Sequence, residues 1–68
     1  DDIIRIEFPY IAMNDVMRVV KDMQPKIEEQ LFDNLCTMRL RIRRSESGML
    51  QGKLDKIEGC YSELEELS

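Results

Sequence analysis

The 68-residue sequence contains no histidine and no tryptophan. Without histidine the usual proton carrier near neutral pH, and the commonest metal ligand, is missing. Two cysteines, Cys36 and Cys60, are too few for a disulfide framework and lack metal-ligand spacing. Gly48, Gly52 and Gly59 stand singly, so no glycine-rich phosphate loop is present. The aromatic residues are Phe8, Tyr10, Phe32 and Tyr61, a scarcity that argues against a large-cored fold and suits aliphatic helix packing. No apolar run approaches the ~20 residues of a membrane span, so membrane insertion is not expected, and no signal peptide is visible. These absences leave no catalytic residue, no cofactor and no metal site to nominate. The acidic pairs Glu28 with Glu29 and Glu63 with Glu66 read as solvated helix faces.

Apolar residues make up 43% and charged residues 35%, too apolar for disorder and charged enough for solubility. A net charge of −4 disfavours general attraction to nucleic acid or anionic lipid. One domain is the upper bound at this length. Domains this small bury only about 60% of their unfolded surface and commonly need staples or partners. The chain opens on Asp1 rather than Met, as a processed or excised piece of a larger protein would. Two cysteines beside the apolar stripe, together with five methionines, suit a reducing intracellular compartment, cytoplasm or nucleus.

In order along the chain, Ile4, Ile6 and Phe8 alternate with Arg5 and Glu7, and Pro9 follows. Residues 1–10 therefore read as an extended segment, with no second alternating stretch to pair with. It either pairs with its copy in another subunit, lies over the helices, or is a loosely ordered terminus. Asn14 and Asp15 give a helix start, with Ile11 and Met13 as a staple. Val16, Val19, Val20 and Met23 then form a helical stripe. Pro25 predicts a kink or a restart with Pro25 in the first turn. Leu31, Leu35, Met38 and Ile42 recur at spacings of four and three, which predicts a helix over residues 27–44. Leu50, Leu54, Ile57, Tyr61 and Leu64 form a second such run in the segment ending at Leu67. Between the runs, residues 45–48 either continue the helix or turn it into a helical hairpin, with continuity slightly favoured. An 11-residue row of Val16, Ile27, Met38, Met49 and Cys60 fits the continuous version.

The fold expected from these patterns is all-α. Long amphipathic helices would form an oligomeric coiled coil or helical bundle over residues 11–68, behind the extended segment 1–10. The function expected is self-association of a larger protein, as a homodimer or tetramer, or docking of another helical protein. Val16, Val20, Met23, Ile27, Leu31, Leu35, Met38, Ile42, Leu50, Leu54, Ile57, Tyr61 and Leu64 would carry the interface. The alternative is a helical subunit completed by a different protein in a hetero-oligomeric bundle. Arg39, Arg41, Arg43 and Arg44 are candidates for ion pairs between helices or for phosphate contact; nucleic acid is the weaker reading, since no aromatic residue is interleaved. Ser45 and Ser47, following Arg43 and Arg44, resemble a basophilic phosphorylation pattern.

Overall fold

The computed structural model describes residues 1–65. In it the N-terminal alternation is a strand, β1 (Asp2–Pro9), with Ile4, Ile6 and Phe8 fully buried on one face. Arg5 and Glu7, on the other face, stay partly exposed. After Pro9 one 3-10 turn (Tyr10–Ala12) leads into helix α1 (Met13–Met23). Asp15 places negative charge in the first turn, where the helix dipole favours it. Val16 and Val20, one turn apart, are buried, while Arg18, Lys21 and Asp22 face water.

The helix stops at Gln24, which adopts the left-handed conformation (φ 55°) and donates its N–H to the Val20 carbonyl at 2.8 Å. Pro25 follows, and proline commonly comes just after such a cap because it cannot continue the helix. The expected kink or restart at Pro25 is thus a complete exit. The chain continues as strand β2 (Lys26–Leu31), turns through residues 32–34, and returns as β3 (Leu35–Ile42). Helix α2 (Arg44–Asp55) and strand β4 (Tyr61–Glu65) complete the described chain. The strands lie in the order β2-β3-β1-β4 with every neighbouring pair antiparallel. This βαββαβ order is the split β-α-β arrangement, with the helices packed on one face of the sheet.

The all-α expectation is overturned: the chain is a small α+β fold, neither coiled coil nor helical bundle. The misleading stretch is residues 27–44, which the four-and-three spacing assigns to a helix. Cys36, Met38, Leu40 and Ile42 are all buried, at 0, 1, 0 and 5% exposure, so the operative period there is two. Met38 and Ile42 belong to the helical spacing and to the strand spacing alike, and Cys36 and Leu40 decide between them. Residues 45–48 are helical, inside the first turns of α2, but strand β3 precedes them, so they neither continue an earlier helix nor turn a helical hairpin. The second run is also divided. Leu50 and Leu54 are buried on α2, Ile57 packs from the following turn, and Tyr61 and Leu64 fall on opposite faces of β4. Leu67 and Glu66 lie outside the described residues.

The core sits between sheet and helices. Ile4, Ile6 and Phe8 of β1 with Met38, Leu40 and Ile42 of β3 form its floor, and Val16, Val20, Leu50 and Leu54 close it. Asp2 ties the two layers together. The Ser47 hydroxyl donates to Asp2 Oδ2 at 2.9 Å, and Arg44 Nε donates to Asp2 Oδ1 at 3.4 Å. The N-cap residue Arg43 supplies no capping side-chain bond; Glu46 in the first turn, together with Asp2 packed against it, provides negative charge at the start of α2.

Candidate functional site: the uncovered sheet face

Because the helices cover one side only, alternate residues of all four strands project from the other. The strand register places them in rows. Lys26, Arg41, Ile3 and Glu65 form one row across β2, β3, β1 and β4, and Glu29, Arg39, Arg5 and Glu63 form the next. Leu31, Thr37, Glu7 and Tyr61 form the third, and Leu35 with Pro9 extends the face beyond it.

The first two rows are ionic. Arg39 and Arg5 stand directly opposite each other on the central strands, an unfavourable like-charge pair. Carboxylates on the outer strands offset it. Arg39 donates to Glu29 on β2 at 2.9 Å and to Glu65 on β4 at 2.8 Å, so its guanidinium links both edges of the sheet. Those bonds, Glu65 first, hold the Arg39 pKa above its ordinary value. Arg41 pairs with Glu28 at 2.5 Å, and Arg5 with Glu7 at 2.5 Å. The hydrogen bond from Arg41 is the main cause holding the Glu28 carboxyl below its usual pKa. Beneath this layer Ile3, on the side away from the helices, is only 1% exposed. Its row neighbours are Arg41 and Glu65, and Arg39 stands in the next row; side chains of this kind cover apolar surface with their aliphatic stems while their charges pair above.

The other end of the face has no such cover. Leu31 is 63% exposed, Leu35 53% and Tyr61 56%, around Thr37, Pro9 and the Arg5-paired Glu7, which stands beside Tyr61. Phe32, in the turn after β2, is 47% exposed beside this end. Clustered large apolar side chains differ from scattered exposed residues and make this end of the face the candidate interaction site. The edges are less inviting. β2 carries Lys26, Glu28 and Glu29 with a register shift between Ile27 and Glu29, and β4 carries Glu63 and Glu65. Charged and bulged edges discourage strand addition.

The residues nominated as one interface are dispersed by this fold. Val16, Val20, Met38, Ile42, Leu50 and Leu54 are core, with Met23 and Ile57 packed partly against it. Ile27 and Leu64 pair with Leu40 and Ile4, on the helix side of the two outer strands. Leu31, Leu35 and Tyr61 alone come together on the open face. Of the nominated arginines, Arg39 and Arg41 share that face, Arg43 precedes α2, and Arg44 pairs with Asp2. Three of the four therefore already meet carboxylates. The open positions of the central strands carry no aromatic side chain, so no base-stacking platform exists there. Ser47 is 8% exposed and bonded to Asp2, where a phosphate would meet a carboxylate. The sequence reading missed Ile3, Glu28, Glu29 and Glu65. The signal for them was the alternation of Arg39 and Arg41 with Met38, Leu40 and Ile42.

The fold and its open face define the class: a βαββαβ domain with a half-ionic, half-apolar sheet surface. No family model matches the chain, and no curated protein matches it. Among solved structures it is similar to TM1266, an uncharacterized protein from Thermotoga maritima, with a TM-score of 0.77 and 20% identity. That match covers 98% of this chain and 95% of the other. At such identity the likeness is one of fold.

Proposed function

We propose that this chain is a non-catalytic binding domain that docks a protein partner on the uncovered face of its sheet. The observation that carries the reading is the division of that face: ion pairs flank the buried Ile3 at one end, and Leu31, Leu35 and Tyr61 stand open at the other. An apolar centre beside a polar, charge-paired surround is the anatomy of a protein interface. The partner is a second copy of this chain or a different protein, held by the sheet face rather than by a helix seam. Nucleic acid is disfavoured by the net charge of −4 and by the pairing of Arg39 and Arg41. The non-catalytic part of the reading is supported by the lack of histidine and by the setting of the thiols. Cys36 is buried, donating toward the Asp33 carbonyl at 3.4 Å, and burial pushes the Cys60 thiol up to about 11. Both cysteines are unpaired, which suits a reducing intracellular compartment. No helix among the described residues is long and apolar enough to cross a membrane.

A photo-crosslinking residue placed at Leu35, with a control at exposed Asn14, tests the reading in cells making the whole protein. The expected result is a discrete protein adduct from position 35 and none from position 14. Equal labelling at both positions, or adducts to nucleic acid alone, would overturn it. Light scattering of the purified chain then separates the partners: a dimer that Leu35→Glu splits identifies a second copy, and a monomer assigns a different protein.

A further inference from the structure

The opposite side of the molecule carries a second feature that the sheet face does not use. Between α1 and α2 lies an open groove of about 670 Å³ lined by Arg18, Val19, Lys21, Asp22, Lys53 and Lys56. Four cations and one carboxylate give it a net charge of +3 in a chain whose net charge is −4. The single carboxylate is already engaged. Asp22 accepts a hydrogen bond from Lys53 at 2.6 Å, a pair that braces one helix against the other. Arg18, Lys21 and Lys56 have no ionic partner among the described residues.

The other carboxylates of the helical layer are turned elsewhere. Asp15 and Glu58 line a recess with Pro9 and Ile11, and Glu46 lines another with Asp1 and Arg43. Asp55 accepts from Ser62 of β4 at 3.0 Å. Sequence alone would mix the signs on these helices; the fold sorts them, leaving the groove cationic. Val19 and the methylene stems of the lysines give it an apolar wall.

We propose that this groove binds a small phosphate monoester. The phosphate would be held by Arg18, Lys21 and Lys56, and the organic part would lie against Val19. A phosphoryl group carries about −1.5 to −2 charges near neutral pH and takes several charge-assisted hydrogen bonds, which three unpaired cations can supply. A small dianion is favoured over a polyanion such as a nucleic-acid strand. A long charged ligand would run from the groove onto a remaining surface that is strongly negative, whereas a small one stays within it.

The test is an NMR titration of the intact chain at low salt, with inorganic phosphate and phenyl phosphate as probes. Saturable shifts confined to residues 18–22 and 53–56 are expected, with phenyl phosphate the tighter of the two. Lys21→Gln and Lys56→Gln should each weaken phenyl phosphate about tenfold, the scale of one lost charge-assisted contact. Both side chains are exposed, so the spectra elsewhere should stay unchanged. Arg43→Gln, in a different recess, should leave the affinity as it was. Shifts that fail to saturate, or an equal loss with Arg43→Gln, would overturn the site. So would tighter binding of oligo-dT than of phenyl phosphate at equal phosphate concentration, which would point to a polyanion surface instead.

Discussion

Leu35 and Met38 lie three residues apart, and a helical seam would bury them together. The fold separates them sharply: Met38 is 1% exposed against the helices and Leu35 is 53% exposed on the open face. Truncating Met38 to alanine removes a fully packed side chain and leaves a cavity, at a cost of ~3 kcal/mol. Leu35→Ala removes a side chain already half in water, and its cost should be ~1 kcal/mol or less. A chain of this size has a total stability of only ~3–10 kcal/mol, so the first substitution consumes much of it. With a urea slope of ~1 kcal/mol/M for a small domain, the Met38→Ala midpoint should fall by about 3 M. The Leu35→Ala midpoint should fall by less than about 1 M on the same slope. Circular dichroism at dilute and concentrated protein measures both. Equal losses at the two positions, independent of concentration, would refute the assignment of Leu35 to an uncovered face. A Leu35 loss that appears only in concentrated samples would mean that a second copy covers it.

Four further outcomes follow from local geometry. Gly48→Ala and Gly52→Ala should each stabilise the fold by about 1 kcal/mol in thermal melts, since a Cβ meets open space at both helical positions. Gly59→Ala should destabilise by at least about 1 kcal/mol in the same melts, because φ is +83° there and the new Cβ would sit 3.2 Å from the ring of Pro9. Arg41→Gln should raise the Glu28 carboxyl pKa back toward its ordinary value of 4.5, read by carbon-detected NMR titration. The Glu28 pKa is depressed in the folded state. Its small contribution to stability is therefore present above the unfolded pKa and lost as pH falls through the folded one. Cys60 should react slowly with iodoacetamide at pH 8, because a thiol with a pKa of about 11 holds almost no thiolate there. Rapid alkylation of Cys60 in the folded chain would contradict its burial.

The part of the fold legible in the sequence was the part where only one period fits. Ile4, Ile6 and Phe8 alternate without a helical alternative, and they lie on β1. Val16 and Val20 repeat at helical spacing between polar residues, and they lie on α1. The stretch from Leu31 to Ile42 was different, because its apolar residues are dense enough to satisfy both periods. Leu31, Leu35, Met38 and Ile42 fit a helix; Cys36, Met38, Leu40 and Ile42 fit a strand. Local composition favoured the helix, since Glu, Gln, Leu, Met and Arg are good helix formers. What outweighed it is non-local: β3 pairs with β1, some thirty residues earlier, and completes a core that neither element could close alone.

The reading also failed at the breaks, and for a related reason. From sequence, Pro25 predicts a kink or a helix restart, not a complete exit into a strand. Gln24 takes the left-handed cap that glycine would normally supply, at a steric cost the surrounding fold offsets. Once that cap ends α1, β2 and β3 become a hairpin and the arginines change meaning. On a helix, Arg39 and Arg41 would have pointed in different directions. On a strand they project from one face, where Glu28, Glu29 and Glu65 meet them. Glu28 and Glu29, which read as a solvated helix face, are thus the partners of Arg41 and Arg39 on the sheet. Leu31, Leu35 and Tyr61, nominated as parts of a long seam, became the apolar area these ion pairs leave open. The two helices among the described residues are enough to cover one side of the four-stranded sheet, and these apolar residues lie on the other.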